Sequence, residues 1–186
     1  MNILGKSKLR NALLKLYFFH PEKKYYIRQL ERILKKPAAY VRKELLNLQG
    51  QGLLTSEFQG KERFFQLNQD YPLYGEIKKV VAKTIGLEAM LGKKLQKISS
   101  IESAFIFGSY AKGKEDGESD IDLMIIGNPN EDALIEVISK LEKTADREIN
   151  YHIYKKAEFD KKSKNSNSFI ASIIRNPKIF IIGHEK

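Results

Sequence analysis

Residues 104 to 126 allow few shapes. The apolar run Ala104-Phe-Ile-Phe107 halts at Gly108-Ser109, and ten residues beyond Ser109 a second run opens at Ser119-Asp120-Ile121-Asp122. Runs this short, bounded by glycine and polar residues, read as strands, here over Glu102 to Phe107 and Ile121 to Ile126. Residues two apart on a strand point to the same side, so Asp120 and Asp122 share a face. Glycine at the end of the first strand lets the backbone approach a phosphate closely, and the Ser109 hydroxyl and nearby amides can hydrogen-bond its oxygens. Paired carboxylates beside bound phosphates make a site for Mg²⁺ (or Mn²⁺), hard ions that take oxygen ligands. Gly108, Ser109, Lys112 and Ser119 are therefore candidate nucleotide-binding residues, and Asp120 and Asp122 candidate metal and catalytic residues. Lys114, in the same glycine-containing stretch, is a further phosphate candidate.

The surrounding C-terminal half alternates strands and helices. A helix is expected over Glu131 to Thr144 with Leu134, Ile135, Ile138 and Leu141 inward, and a strand over Arg147 to Tyr154. One or two helices fit Ala157 to Arg175, and a last short strand Lys178 to Ile182. This is a small mixed α/β (α+β) sheet domain, assigned to residues 99–186.

The N-terminal part reads differently. Leu9, Leu13, Leu16 and Phe19 recur at helical spacing up to His20-Pro21; Ile27, Leu30 and Leu34 mark a second helix, and Pro37 to Gln49 a third with Val41, Leu45 and Leu48 inward. Leu53 to Phe58 and Arg63 to Asn68 then read as a hairpin around a glycine-containing loop. Residues 1–70 hold 14 Lys and Arg against 6 Asp and Glu, a net of +8, whereas residues 71–186 hold 19 against 17, a net of +2. Charge concentrated in one small domain favours a polyanionic partner. Between the two parts, Leu73 to Ile98 shows a broad apolar helical stripe interrupted near Gly86 and Gly92, read as a helical connector over residues 71–98.

Two resemblances follow from these residues. Three helices and a hairpin resemble the small winged helix-turn-helix DNA-binding domains of bacterial and archaeal regulators. On that resemblance Lys36, Ala39, Tyr40, Arg42, Lys43 and Asn47 line the outer side of a recognition helix, and Lys61 and Arg63 sit on the wing, facing double-stranded DNA. The Gly-Ser, ten-residue gap and Asp-Ile-Asp closely resemble the minimal signature of the DNA polymerase beta-like nucleotidyltransferase superfamily. That implies ATP or another nucleoside triphosphate, Mg²⁺, and transfer of a nucleoside monophosphate, AMP from ATP, to an acceptor. The superfamily adds a third carboxylate from a later strand, where this chain has Ile149-Asn150-Tyr151. Asn150 keeps an oxygen for coordination but cannot act as a base; Glu148 and His152, on the same face of that strand, are the other candidates for the position. Whether the domain is an enzyme is therefore left open by the sequence. The alternative is a transcriptional regulator or antitoxin whose nucleotidyltransferase domain only binds nucleotide or mediates contacts with a toxin-like protein, and winged-helix proteins of this kind are expected as homodimers.

The chain has no cysteine, which excludes disulfides and thiolate metal sites. Its apolar runs are too short to span a bilayer, and its first residues lack the apolar core of a secretory signal, so a cytoplasmic protein without membrane contact is expected.

Overall fold

The computed structural model describes residues 7–113 and 119–184, and Lys114 lies outside them. The chain divides between Gly86 and Leu87 into two compact units, which we describe separately.

The first unit runs α1 (Lys8–Phe19), β1 (Tyr25–Tyr26), α2 (Ile27–Leu34), α3 (Ala38–Gly50), β2 (Leu54–Gln59), β3 (Glu62–Leu67) and α4 (Tyr74–Thr84). Ser7 caps α1, its hydroxyl accepting from the Arg10 N–H at 3.2 Å. The most deeply buried residues of α1 are Leu13, Leu14 and Tyr17, whereas Leu9 and Leu16 are only partly buried. The expected Leu9-Leu13-Leu16-Phe19 stripe is thus rotated, because Tyr17 reaches inward to donate its hydroxyl to the Phe65 carbonyl at 3.3 Å and to meet Tyr25 edge to face. Tyr25–Tyr26 is a two-residue strand too short to announce itself in sequence. It pairs antiparallel with β3, giving a three-stranded sheet in the order β1-β3-β2.

The turn from α2 to α3 is closed by local chemistry. Lys35 adopts a left-handed conformation, Pro37 precedes the first turn, and a Glu31 carboxylate oxygen accepts from the Ala38 N–H at 3.1 Å. Val41, Leu45 and Leu48 are fully buried, as the periodicity of α3 predicts. Arg10 of α1 pairs with Glu44 of α3 at 2.7 Å. Ile77 and Val81 of α4 join the same core, so the first half of the expected connector packs in this unit.

The second unit begins with α5 (Leu87–Leu95), followed by β4 (Ile101–Phe107), α6 (Gly108–Ala111), β5 (Ile121–Gly127), α7 (Glu131–Ala145), β6 (Ile149–Tyr154), α8 (Lys156–Ser163), α9 (Phe169–Ile174) and β7 (Ile179–Ile182). The sheet order is β6-β5-β4-β7, with β5 and β6 parallel and the other pairs antiparallel. Both faces are covered, which explains why β4 and β5 are nearly continuous in apolar residues. One face carries Phe105, Phe107, Met124 and Ile126 against Phe159, Ile170 and Ile173 of α8 and α9. The opposite face buries Ala104, Ile106, Leu123 and Ile125 and is left to α5 and α7, which pack on each other. In α7 the buried residues are Leu134, Ile138, Leu141 and Ala145, while Ile135 is 50% exposed, contrary to the expectation from spacing. The four-residue step Leu134-Ile138 leaves Ile135 on the shoulder of the helix, and Ala145 supplies the last inward position instead. No helix among the described residues is long and apolar enough to cross a membrane.

Leu123 is fully buried in the central strand β5. Truncation removes its side chain from a packed layer with little room to collapse, so Leu123→Ala should cost about 2–5 kcal/mol. Urea unfolding followed by circular dichroism checks this; a loss below about 1 kcal/mol would mean the layer repacks.

Candidate active site

The site forms where β4 ends and β5 and β6 begin. Phe107 pairs with Asp122 and Asp122 with Asn150, so the register across three strands aligns the glycine turn, the acidic pair and the asparagine. Gly108 takes φ +73°, a left-handed conformation that side chains disfavour, and a Cβ there would lie against the Asp122 carboxylate, 3.1 Å from its carbon. The turn and the acid are therefore built around each other. After Gly108 the chain makes the single turn α6, whose first N–H groups have no intrahelical acceptor. Ser109 lies half-buried in that turn, and Lys112 caps its end, exposed.

Asp120 is exposed and Asp122 half-buried. Partial burial, and secondarily the neighbouring Asp120 carboxylate, pushes the Asp122 carboxyl above the ordinary aspartate range, while His152 opposes the shift. Asn150 donates its amide to an Asp120 carboxylate oxygen at 3.3 Å. A carboxylate only accepts, so the amide nitrogen is the end turned toward it. Glu148 is exposed just before β6; its carbonyl accepts from the Ile121 N–H at 2.9 Å, and it borders an open hollow with Glu142, Lys143, Asp146 and Arg147. Among the described residues no group of three or more Asp, Glu, His or Cys side chains could hold a metal ion. Among the described residues, the side-chain oxygens that strand registry brings together here are those of Asp120, Asp122 and Asn150.

Ser119 takes part through its backbone: Arg147 donates from Nε to the Ser119 carbonyl at 2.8 Å, and from a second guanidinium nitrogen to the same oxygen. The Arg147 guanidinium also lies over the Tyr110 ring, 5.5 Å from its centroid. This arginine ties α6, the start of β5 and the approach to β6 together. Sequence marks it as a charge at a strand opening, a partner for an aspartate or the nucleotide; the partners found are the Ser119 carbonyl and the Tyr110 ring, 28 and 37 residues away in the chain. His152 is exposed and sits among aromatic rings, 6.2 Å from Phe107 and 5.5 Å from Phe169.

In the first unit the expected DNA-facing residues divide into two groups. Lys36, Ala39, Tyr40, Arg42, Lys43 and Asn47 are all exposed, as is Lys61. Lys36, Tyr40 and Lys43 border one cleft of 350 Å³ with Lys8, a lysine that sequence reasoning missed because it precedes the helical stripe. Arg63 is half-buried and committed within the unit: it donates to the Ser56 hydroxyl and to the Gln49 amide oxygen, both at 3.0 Å, and lies over the Phe58 and Phe65 rings.

Comparison with known proteins bears on the second unit. The family model for the nucleotidyltransferase domain matches residues 89–176. No curated protein sequence matches the chain. Among solved structures, a toxin–antitoxin with AMP-PNP is 19% identical with a TM-score of 0.39, covering 53% of this chain and 74% of that one. A protein of Sulfolobus solfataricus assigned as a nucleotidyltransferase is 20% identical with a TM-score of 0.29, covering 40% and 68%.

Two outcomes follow from the glycine–aspartate contact. Gly108→Ala should destabilise the unit by about 1–3 kcal/mol through backbone strain and displace Asp122; a thermal melt matching wild type would refute the contact. The pH dependence has a definite sign. A carboxyl whose folded pKa is raised binds more protons folded than unfolded between the two values, so its contribution falls as pH rises through that window. Asp122→Asn should therefore flatten the loss of stability just above the ordinary aspartate pKa and stabilise the fold near neutrality, which urea titrations at several pH values would measure.

Proposed function

We propose that the second unit binds a nucleoside triphosphate with a divalent cation and transfers its nucleoside monophosphate, AMP from ATP, to an acceptor. The observation that carries this reading is the convergence of Asp120, Asp122 and Asn150 beside the left-handed Gly108 turn. The match of residues 89–176 to the nucleotidyltransferase domain supports nucleotidyl transfer in general.

The donor set fits one hard cation: two like-charged carboxylates, one held above its ordinary pKa by burial and by the other, gain from a positive charge between them. Asp120 and Asp122 would hold it, with substrate phosphates completing the shell. A bound Mg²⁺ or Mn²⁺ supplies charge neutralisation and orientation of the phosphates during in-line displacement. The remaining tasks belong to the chain. Gly108 and the opening N–H groups of α6, with Ser109, cradle the phosphate oxygens, and Lys112 adds charge at the rim. Asn150 orients the Asp120 carboxylate. Arg147 fixes the Ser119 backbone and so the angle at which the acidic pair enters the site. An acceptor hydroxyl oxygen then bonds to the α-phosphorus as the bond to the β-phosphate oxygen breaks; pyrophosphate leaves with that electron pair, and the hydroxyl proton passes to solvent.

The first unit is read as a winged helix-turn-helix that binds double-stranded DNA. Support comes from the sheet order β1-β3-β2 behind α3, the exposed Lys36, Arg42 and Lys43, and the charge of residues 1–70. Arg63 serves this surface indirectly, holding β2 and β3 against Gln49 of α3. A homodimer in the cytoplasm accords with this reading.

The second reading, a regulator or antitoxin whose nucleotidyltransferase domain binds without catalysis, is favoured by one feature. An amide stands where a third carboxylate would act as a base.

Calorimetric titration of Mg²⁺-ATP, then Mg²⁺-GTP and Mg²⁺-CTP, into wild type and the Asp120→Ala/Asp122→Ala variant tests the site. Metal-dependent binding lost in the variant is expected; no binding to wild type would sink nucleotide binding and transfer and leave a DNA-binding regulator whose second unit mediates protein contacts. For the DNA surface, Lys43→Ala should weaken duplex binding at every sequence and lower the salt slope by about one. An unchanged slope would remove Lys43 from the interface.

A further inference from the structure

The same sheet face that presents the acidic pair carries an aromatic shelf. Alternation along β5 puts Asp122 on the side of Met124 and Ile126, and pairing puts Phe107 beside Asp122 and His152 beside Met124. Phe169, the first residue of α9, closes the group: its ring meets Phe107 at 6.0 Å and 76°, and His152 at 5.5 Å and 65°. Phe107 is 7% exposed and belongs to the core, but Phe169 is 51% exposed and His152 is open to solvent.

Held edge-on by two rings, Phe169 keeps half of its surface open to solvent. Ile170 and Ile173 of the same short helix point inward and are almost fully covered, while Phe169 stands on the outward side. Its outward position therefore leaves a ring available beside a polar site.

We propose that Phe169 and His152 form the base-stacking subsite of the nucleotide pocket. This rests on the nucleotide reading of Asp120 and Asp122. Three observations favour a nucleobase as the occupant. The shelf shares the face of the acidic pair. His152 stands one strand repeat from Asn150, about 7 Å along β6, a separation that leaves room for a ribose between phosphate and base. The shelf also combines an aromatic plane with an imidazole that can hydrogen-bond a base edge, the pairing used to hold bases without strong discrimination among them. The subsite thus takes a purine or pyrimidine ring, with the larger purine surface stacking better.

Titrating Mg²⁺-ATP and Mg²⁺-tripolyphosphate, which has no base, into wild type and Phe169→Ala separates this from the phosphate site. Phe169→Ala should weaken ATP roughly 5- to 100-fold and leave tripolyphosphate unchanged, while Phe169→Trp restores ATP affinity. Equal weakening of both ligands would mean that Phe169 only positions α9, and equal ATP affinity in wild type and variant would mean that the base lies elsewhere; either overturns the shelf and spares the phosphate site. A wild type that binds neither ligand overturns the shelf together with the nucleotide reading beneath it.

Discussion

The second unit depends on one close approach, the backbone of Gly108 against the carboxylate of Asp122. Antiparallel pairing of Phe107 with Asp122 brings the end of β4 beside the start of β5, and a Cβ on residue 108 would push the acid from its place there. The same left-handed turn aims the chain out of the sheet into α6, so opening backbone N–H groups and carboxylates lie next to each other. Electrostatically this is an unusual choice, because Asp122 is partly desolvated and stands near a second negative charge. Such an arrangement raises the energy of the folded chain at neutral pH. A structure that tolerates it gains most when a cation or a proton joins the pair.

The neighbours of that contact are arranged to hold it. Arg147 grips the Ser119 carbonyl from the β6 side and rests on Tyr110 of α6. Asn150 donates to Asp120. Each fixes one end of a short segment whose side chains carry the charge, so the geometry is set by neutral or cationic donors on adjacent elements.

Much of this was legible in the sequence, and the failures have physical causes. Glycine, two aspartates at period two and the flanking apolar runs are local signals, and strand registry turned them into a single cluster. Helix faces were legible where the stripe was unambiguous, as in Val41-Leu45-Leu48, and misread where several faces were apolar: Tyr17 replaced Leu16, and Ala145 replaced Ile135. Tyr25–Tyr26 escaped notice because two residues carry no periodicity; their strand exists only through pairing with β3. Leu73 to Ile98 read as one connector because its apolar stripe resumes beyond the interruptions near Gly86 and Gly92. The contacts instead divide it at Gly86, where a Cβ would meet the Ala82 Cα at 2.8 Å. Arg147 is legible as a charge opening a strand but its partners, the Ser119 carbonyl and the Tyr110 ring, are not, and Phe169 carries no local signal at all.

Arg63 and Asn150 illustrate the limit most sharply, because composition treats each as a free functional group. A basic residue on a hairpin can donate to an outside partner only through hydrogen-bond donors not already engaged, and those of Arg63 turn to Ser56 and Gln49 while its guanidinium lies over two aromatic rings; its charge, facing only neutral groups, remains. Lys8, Lys36 and Lys43 instead border one cleft with the exposed Tyr40 and with Glu44. Asn150 runs the other way. As a missing carboxylate it reads as a loss, yet its amide gives Asp120 a donor that a third acid could not provide when ionised. A carboxylate in that place would add a third negative charge to a pair already under strain. With asparagine in that place the cluster of Asp120, Asp122 and residue 150 carries two negative charges rather than three, and one of its members donates to another.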